Sequence, residues 1–168
     1  MSGDANAYSE IVRAYQVKVL RLCTSLLSNA VQAEDAAQEI FIKAYRSLRS
    51  FRGGSKFSTW LYRIAANHCK DLLRKRSRER TEPLEESLIE PSFDPRASAE
   101  ASETVDKLLS FLLPEERLIL TLREVQGLSY QEISETLQCS LDAVKSRLRR
   151  ARQALEEKTR HFSGRGNV

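Results

Sequence analysis

The sequence predicts an all-α protein in which two small helical domains are joined by an acidic, proline-containing linker. Three observations support this fold class. Apolar residues recur every three or four positions through the long segments, and no stretch alternates with the period of two that a half-buried strand requires. The helical period fails between Thr81 and Ser98, where Pro83, Pro91 and Pro95 stand among carboxylates, the composition of an extended connector. Charge follows the same division. From Lys43 to Arg80 almost every charge is positive, whereas from Glu82 to Glu103 seven carboxylates are opposed only by Arg96. The expected organisation is a first domain over residues 7–80, a linker over 81–100, a second domain over 101–160 and a flexible tail over 161–168.

The first helix is expected from about Tyr8 to Leu27, with Ile11, Tyr15, Val19, Leu22 and Leu26 on one face and Ser28-Asn29 as its break. A second helix, starting near Gln32, turns Ala37, Ile40, Phe41, Ala44, Tyr45 and Leu48 inward. Its first turn carries Glu34 and Asp35, where carboxylates suit the helix dipole. The glycine-containing loop Phe51-Arg-Gly-Gly-Ser-Lys-Phe57 follows. Ser58 or Thr59 then caps a third helix that buries Leu61, Ile64, Ala65, His68 and Leu72 and displays Arg63, Asn67, Lys70 and Arg74. Beyond the linker, Val105, Leu108, Leu109 and Leu112 form one apolar stripe. Pro114 opens another helix with Leu118, Ile119, Leu122 and Val125, ended by Gly127.

The C-terminal segment carries the most specific signal. Ser129 and Glu132 have capping-box spacing, and Tyr130, Ile133 and Leu137 repeat along a short helix. Gln138-Cys139 makes a tight turn, and Ser140 or Leu141 opens a second helix with Asp142 near its positive end. On that helix Val144, Leu148, Ala151 and Leu155 form an apolar back. Ser146, Arg149, Arg150 and Gln153 fall opposite, with Lys145 and Arg152 on the flank. This is the pattern of a helix-turn-helix whose second helix enters a major groove.

Composition narrows the function classes. Three cysteines (Cys23, Cys69, Cys139) with no CxxC pair argue against a disulfide framework or a zinc site and for small buried hydrophobes. The two histidines, His68 and His161, are isolated, and His68 is expected to be packed or to lie beside DNA. There is no phosphate-binding glycine loop, no HExxH and no nucleophile–base pair, so neither enzymatic activity nor a cofactor or metal is expected. With no signal peptide and no apolar run of membrane-spanning length, a cytoplasmic protein is expected. Two basic blocks around an acidic bridge suggest two polyanion-binding modules. In the first block, Phe51, Phe57, Trp60 and Tyr62 alternate with cations and hydroxyls, a mixture suited to stacking unpaired bases while holding their phosphates.

Taken together, these blocks resemble a known family. Glu34-Asp-Ala-Ala-Gln-Glu-Ile-Phe-Ile-Lys-Ala-Tyr45, Ser50-Phe-Arg-Gly53 and Phe57-Ser-Thr-Trp-Leu-Tyr-Arg-Ile-Ala-Ala-Asn67 are similar to region 2 of the extracytoplasmic-function (ECF) sigma factors, group 4 of the sigma-70 family. Leu113-Pro-Glu-Glu-Arg117, Leu122-Arg-Glu124, Gly127-Leu-Ser-Tyr-Gln-Glu-Ile133 and Val144-Lys-Ser-Arg-Leu-Arg-Arg-Ala-Arg152 resemble region 4. The resemblance spans roughly Tyr8 to Glu157 in the family's order.

The resemblance implies partners and roles. Asp35, Gln38, Glu39, Ile42 and Lys43, with Phe41 behind them, match positions that dock on the clamp helices of the β′ subunit of bacterial RNA polymerase core, and the second domain is expected to meet the β flap. Phe51 and Asn67 match the pocket for a base flipped from the −10 promoter element, with Ser47 at its border and Arg52, Lys56, Arg63, Lys70 and Arg74 serving phosphates. Lys145, Ser146, Arg149 and Arg150 match groove-facing positions of the −35 reader. Gln153 lies on the same face, and Arg147 and Arg152 are candidates for phosphate. Relatives are commonly silenced by an anti-sigma factor, membrane-bound or soluble, and one is expected here. The competing reading is a stand-alone helix-turn-helix regulator, which pairs such a domain with a receiver or ligand domain that residues 1–80 do not resemble.

Overall fold

The computed structural model describes the backbone of residues 5–79 and 109–163, and the side chains of 6–79 and 109–160. The chain divides into two compact units, Met1–Glu90 and Pro91–Val168. The linker expected over 81–100, Val105 and Leu108 lie outside the described residues, as does most of the expected tail. Among the described residues there is no strand, and no helix is long and apolar enough to cross a membrane.

The first unit is built from α1 (Ala5–Leu27), α2 (Ala30–Ser47) and α3 (Phe57–Glu79), with a 3₁₀ turn at Leu48–Ser50 between the last two. The α1–α2 junction is made by two polar residues with separate tasks. Ser28 takes the left-handed conformation, with φ 51°, and its N–H donates to Thr24 O at 3.1 Å, which closes the end of α1. Asn29 then caps α2, its Oδ1 accepting from Gln32 N at 2.9 Å.

Val19, Leu22, Cys23, Leu26 and Leu27 of α1 pack against an alanine-rich stripe of α2, Ala33, Ala36, Ala37 and Ala44, interrupted by Ile40 and Phe41. Small residues at the contact let the helix axes approach closely. Leu61, Tyr62, Ala65, Ala66 and Cys69 of α3 complete the core. Each fully buried leucine or isoleucine contributes about 1.5–3 kcal/mol relative to exposure.

Several local expectations change. The helix α2 begins at Ala30, so Glu34 and Asp35 sit in its second turn and its first turn has no carboxylate. Tyr45, expected inside, is 49% exposed; the drift of the stripe carries it outward, where its ring edge meets Tyr8 with centroids 4.9 Å apart. The helix α3 starts at Phe57, with Lys56 O accepting from Trp60 N at 3.1 Å. Ser58 and Thr59 therefore lie inside the helix rather than capping it, and Thr59 is buried.

The second unit contains α4 (Pro114–Leu120), α5 (Tyr130–Leu137) and α6 (Leu141–Ser163). Pro114 occupies the first turn of α4, where its missing N–H costs nothing, and Glu116 Oε2 accepts from Leu113 N at 3.0 Å. Arg117 is buried, and its Nη2 donates to Leu112 O at 3.0 Å and to Ser110 O at 3.4 Å, tying the entering chain to the helix. Burial pushes its guanidinium below the usual arginine range.

The helix α4 widens into a π turn at Thr121–Val125, with Gln126 N donating to Thr121 O at 2.9 Å. The extra residue rotates Val125 off the apolar stripe, leaving it 40% exposed rather than in the core, while Thr121 and Leu122 are buried. Gly127, with φ +70°, makes the turn that follows. The helix α6 runs to Ser163, three residues past the boundary at 160 that the sequence suggested.

Candidate nucleic-acid interface

In the second unit the site is a helix-turn-helix assembled from local hydrogen bonds. Ser129 Oγ accepts from Glu132 N at 3.2 Å and Glu132 Oε2 accepts from Ser129 N at 2.8 Å, the reciprocal capping box. Gln138 takes the left-handed conformation, with φ 52°. The turn is fastened from both sides, since Cys139 N donates to Ser134 O at 3.1 Å and Ser134 Oγ donates to Cys139 O at 2.6 Å. Ser140 caps α6, its Oγ accepting from Ala143 N at 3.2 Å.

Val144, Leu148 and Ala151 are buried and Leu155 is half-buried, so the apolar back of α6 is anchored and its opposite face is set by helix geometry. Lys145, Ser146, Arg149, Arg150 and Gln153 are exposed there, and Arg147 is half-buried at the edge. Among the described residues, Arg149 and Arg150 have no ion-pair partner, whereas Lys145 pairs with Asp142 at 3.3 Å within the helix. Arg152 is placed differently. Its Nη2 donates to Glu124 Oε1 at 2.8 Å, and hydrogen bonds to Glu124 and then to Tyr130 hold its pKa above the ordinary arginine value. Arg123 extends this network, donating to Leu128 O at 2.7 Å and stacking 5.2 Å from the Tyr130 ring centroid.

The first unit assembles its candidate surface from two helices and the loop between them. Phe51, Phe57 and Trp60 form a triangle of rings with centroids 5.3–5.6 Å apart, and Tyr15 of α1 joins Phe57 at 5.6 Å. All four rings are partly exposed, while Tyr62 is buried and belongs to the core. Gly53, with φ +72°, lets the loop reverse. Arg52 and Lys56 project from that loop, Arg63 and Lys70 are half-buried on α3, and Arg74 is 3.6 Å from Asp71. Asn67 is exposed on α3, beyond the ring triangle along the helix. Ser47, also exposed, accepts from Ser50 Oγ through its carbonyl at 2.6 Å.

On α2, Asp35, Gln38, Glu39, Ile42 and Lys43 are exposed, Ile42 at 50%, while Phe41 is buried behind them. Two of these residues are tied to α3 through His68. Lys43 Nζ donates to His68 Nδ1 at 2.6 Å, which leaves the ring proton on Nε2. Glu39 Oε2 stands 3.3 Å from that nitrogen, an electrostatic contact rather than an aligned hydrogen bond. His68 is 5% exposed. Burial first, and then the Lys43 ammonium, lowers its pKa from the ordinary 6.5, against weaker opposing pulls from Glu39 and Asp71. Beside this clamp, a cleft of about 380 Å³ is lined by Gln32, Asp35 and Glu39 of α2 and by His68, Leu72 and Arg76 of α3.

Sequence reasoning placed His68 inside but missed its grip on Glu39 and Lys43, because those residues lie 25 or more positions away. The Leu122-Arg-Glu124 segment, to which spacing assigns no role, supplies the Arg123–Tyr130 and Glu124–Arg152 contacts. Arg117 stands in the Leu113–Arg117 motif, but its burial was not foreseen because an arginine in a charged first turn normally stays in water.

Comparison with known proteins agrees with this geometry. Residues 11–79 match the family described as Sigma-70 region 2, and residues 102–155 match Sigma-70, region 4. The chain is 41% identical to the RNA polymerase sigma-H factor of Pseudomonas aeruginosa, over 92% of this chain and 87% of that protein. It is 36% identical to the ECF RNA polymerase sigma-E factor of Escherichia coli strain K12, over 93% and 88% of the two. Among solved structures, the sigma factor RpoE of Bartonella quintana, in complex with the anti-sigma factor NepR, matches with a TM-score of 0.73 at 27% identity, covering 91% of this chain and 96% of that one. CnrH, solved with the cytosolic domain of CnrY, matches with a TM-score of 0.72 at 26% identity, covering 95% and 92%. Regions 2 and 4 are matched in that order, and relatives above 30% identity span nearly the whole chain: it belongs to the ECF sigma factors, non-enzymatic transcription initiation factors of the sigma-70 family.

Proposed function

We propose that the chain joins bacterial RNA polymerase core in the cytoplasm and directs it to promoters with spaced −35 and −10 elements. The observation that carries this reading is the pairing of two different DNA-compatible surfaces on separate units. One is a cationic helix-turn-helix face suited to duplex DNA. The other is an aromatic and cationic loop suited to unpaired bases. A stand-alone regulator has use for the first surface and none for the second.

In this reading α6 reads the −35 element. Arg149 and Arg150 offer guanidinium forks to guanine O6 and N7, each good pair discriminating by about 1–3 kcal/mol. Lys145, Ser146 and Gln153 flank them, and Arg147 reaches phosphate. Arg152 acts chiefly as a strut between α6 and the π turn, since Glu124 already engages it. The unit as a whole meets the β flap.

At the −10 element a base leaves the stack, which costs a few kcal/mol, and is received near Phe51 and Asn67 at the border formed by Ser47. Arg52, Lys56, Arg63, Lys70 and Arg74 hold the phosphates on either side. The exposed face of α2, with Asp35, Gln38, Glu39, Ile42 and Lys43 backed by Phe41, docks on the β′ clamp helices. An anti-sigma factor silences the protein by covering both polymerase-binding surfaces. The domains that carry these tasks are residues 7–80 and 101–160, with 81–100 as the linker between them.

Run-off transcription with purified bacterial core polymerase and a pooled promoter library tests the reading. Protein-dependent transcripts should come from templates sharing two spaced elements. No stimulation by folded, inhibitor-free protein, together with tight binding to a duplex in the absence of polymerase, would replace it with the stand-alone regulator.

A further inference from the structure

Cys23 of α1 and Cys69 of α3 meet in the core of the first unit. Their sulfurs are 3.8 Å apart, both residues are 0% exposed, and both are free thiols. The two thiols are in hydrogen-bond contact, so they already face each other across 46 positions of sequence. A disulfide requires a sulfur separation of about 2.05 Å. Closing the pair thus takes under about 2 Å of movement, within reach of a side-chain rotation and a small approach of the two helices. The loop that the bond would close contains all of α2. The partnership with Cys69 and then burial push the Cys23 thiol up. Thiolate is therefore scarce while the helices are packed, and reaction waits on a local opening of α1 from α3.

We propose that Cys23 and Cys69 form a reversible disulfide site, closed by hydrogen peroxide or another two-electron peroxide oxidant. In the opened state one thiol loses its proton, and its sulfur attacks the peroxide O–O bond. One oxygen stays on sulfur as a sulfenic acid, and the other leaves as hydroxide and is protonated to water. The second thiol, deprotonated in turn, attacks the sulfenic sulfur. The S–S bond forms, the S–O bond breaks, and a second water leaves. Two thiols and one hydrogen peroxide become one disulfide and two waters, the sulfurs together losing the two electrons that the peroxide gains. Because the closed loop spans α2, the oxidised unit resists unfolding more than the reduced one.

The test uses the full chain in native buffer. The protein is treated with hydrogen peroxide, then denatured, alkylated with N-ethylmaleimide, and analysed by intact mass and peptide mapping. The expected result is loss of two of the three alkylation sites, a peptide joining Cys23 to Cys69, full reversal by dithiothreitol and a higher melting temperature for the oxidised form. Cys139→Ser, which alters a half-buried residue of the other unit, should behave like the wild type, so the test does not depend on a core variant folding. Cross-linking through Cys139, sulfinic acid at Cys23 or Cys69 in place of the disulfide, or closure only in denaturant would each overturn the proposal. None of these readings depends on polymerase or DNA.

Discussion

The face of α6 and the face of α2 are both exposed and charged, yet they are built in opposite ways. On α6 the exposed cationic side chains owe their positions to one helix. Val144, Leu148 and Ala151 anchor the back, and Arg149 and Arg150 project without an ion-pair partner among the described residues. On α2 the exposed Glu39 and Lys43 are held by His68, which arrives from α3. The first surface is a property of a helix and the second a property of a helix pair. Substitutions on α6 should therefore separate recognition from stability, whereas those in the first unit should mix the two unless the residue stands outside the packed contacts.

The largest expected effect tests the independence of α6. Replacing Arg149 and Arg150 together with alanine should lower −35-dependent transcription by about 30-fold or more, since each lost guanine pair removes about 1–3 kcal/mol. Core-polymerase affinity and melting temperature should hold, because exposed substitutions stay within about 0.5 kcal/mol. A melting temperature that falls along with transcription would break the distinction between the two surfaces.

In the first unit, Phe51→Ala should cost about 2 kcal/mol of stability by opening the ring triangle, and should slow open-complex formation as well. Asn67→Ala, outside the triangle, should slow open-complex formation while leaving stability unchanged. Comparing chemical denaturation with promoter-melting kinetics for the pair separates packing from base capture. Equal weakening of closed and open complexes by Asn67→Ala would remove it from the flipped-base pocket.

A smaller effect is expected at the capping box. Ser129→Ala should destabilise the second unit by about 1 kcal/mol while keeping every exposed side chain of the α6 face. Its −35 sequence preference, read from promoter competition, should match the wild type.

The smallest effect concerns pH. His68 has a lowered pKa in the folded state, whereas the unfolded histidine takes its proton near 6.5. Between those values the unfolded chain binds more protons, so the contribution of His68 is fully present above pH 6.5 and is lost as pH falls through the window below it. Melting temperature followed from pH 7.5 to 5 should decline more steeply in the wild type than in His68→Gln. Equal slopes would show that the Lys43–His68–Glu39 contact does not govern this response.

What the sequence reading made legible was local. Two residues place the Ser129–Glu132 box, and 3.6-residue periodicity alone sorts α6 into a buried back and a cationic front. Family resemblance added expected roles that spacing could not supply. The sequence reading erred where a stripe drifts or a turn changes pitch, as at Tyr45 and Val125, and where the helix begins before the expected cap, as at the start of α3. A helical wheel assumes a constant angle per residue, and the 18-residue α2 or a π turn departs from it. By itself, then, the sequence determined the order of the described helices and most of the face each presents, because those depend on near neighbours in the chain. Only the tertiary structure decided that His68 grips Glu39 and Lys43, that Arg152 is engaged by Glu124 and that two distant thiols meet, because these contacts need helix axes set at particular distances by alanines and leucines packed between them.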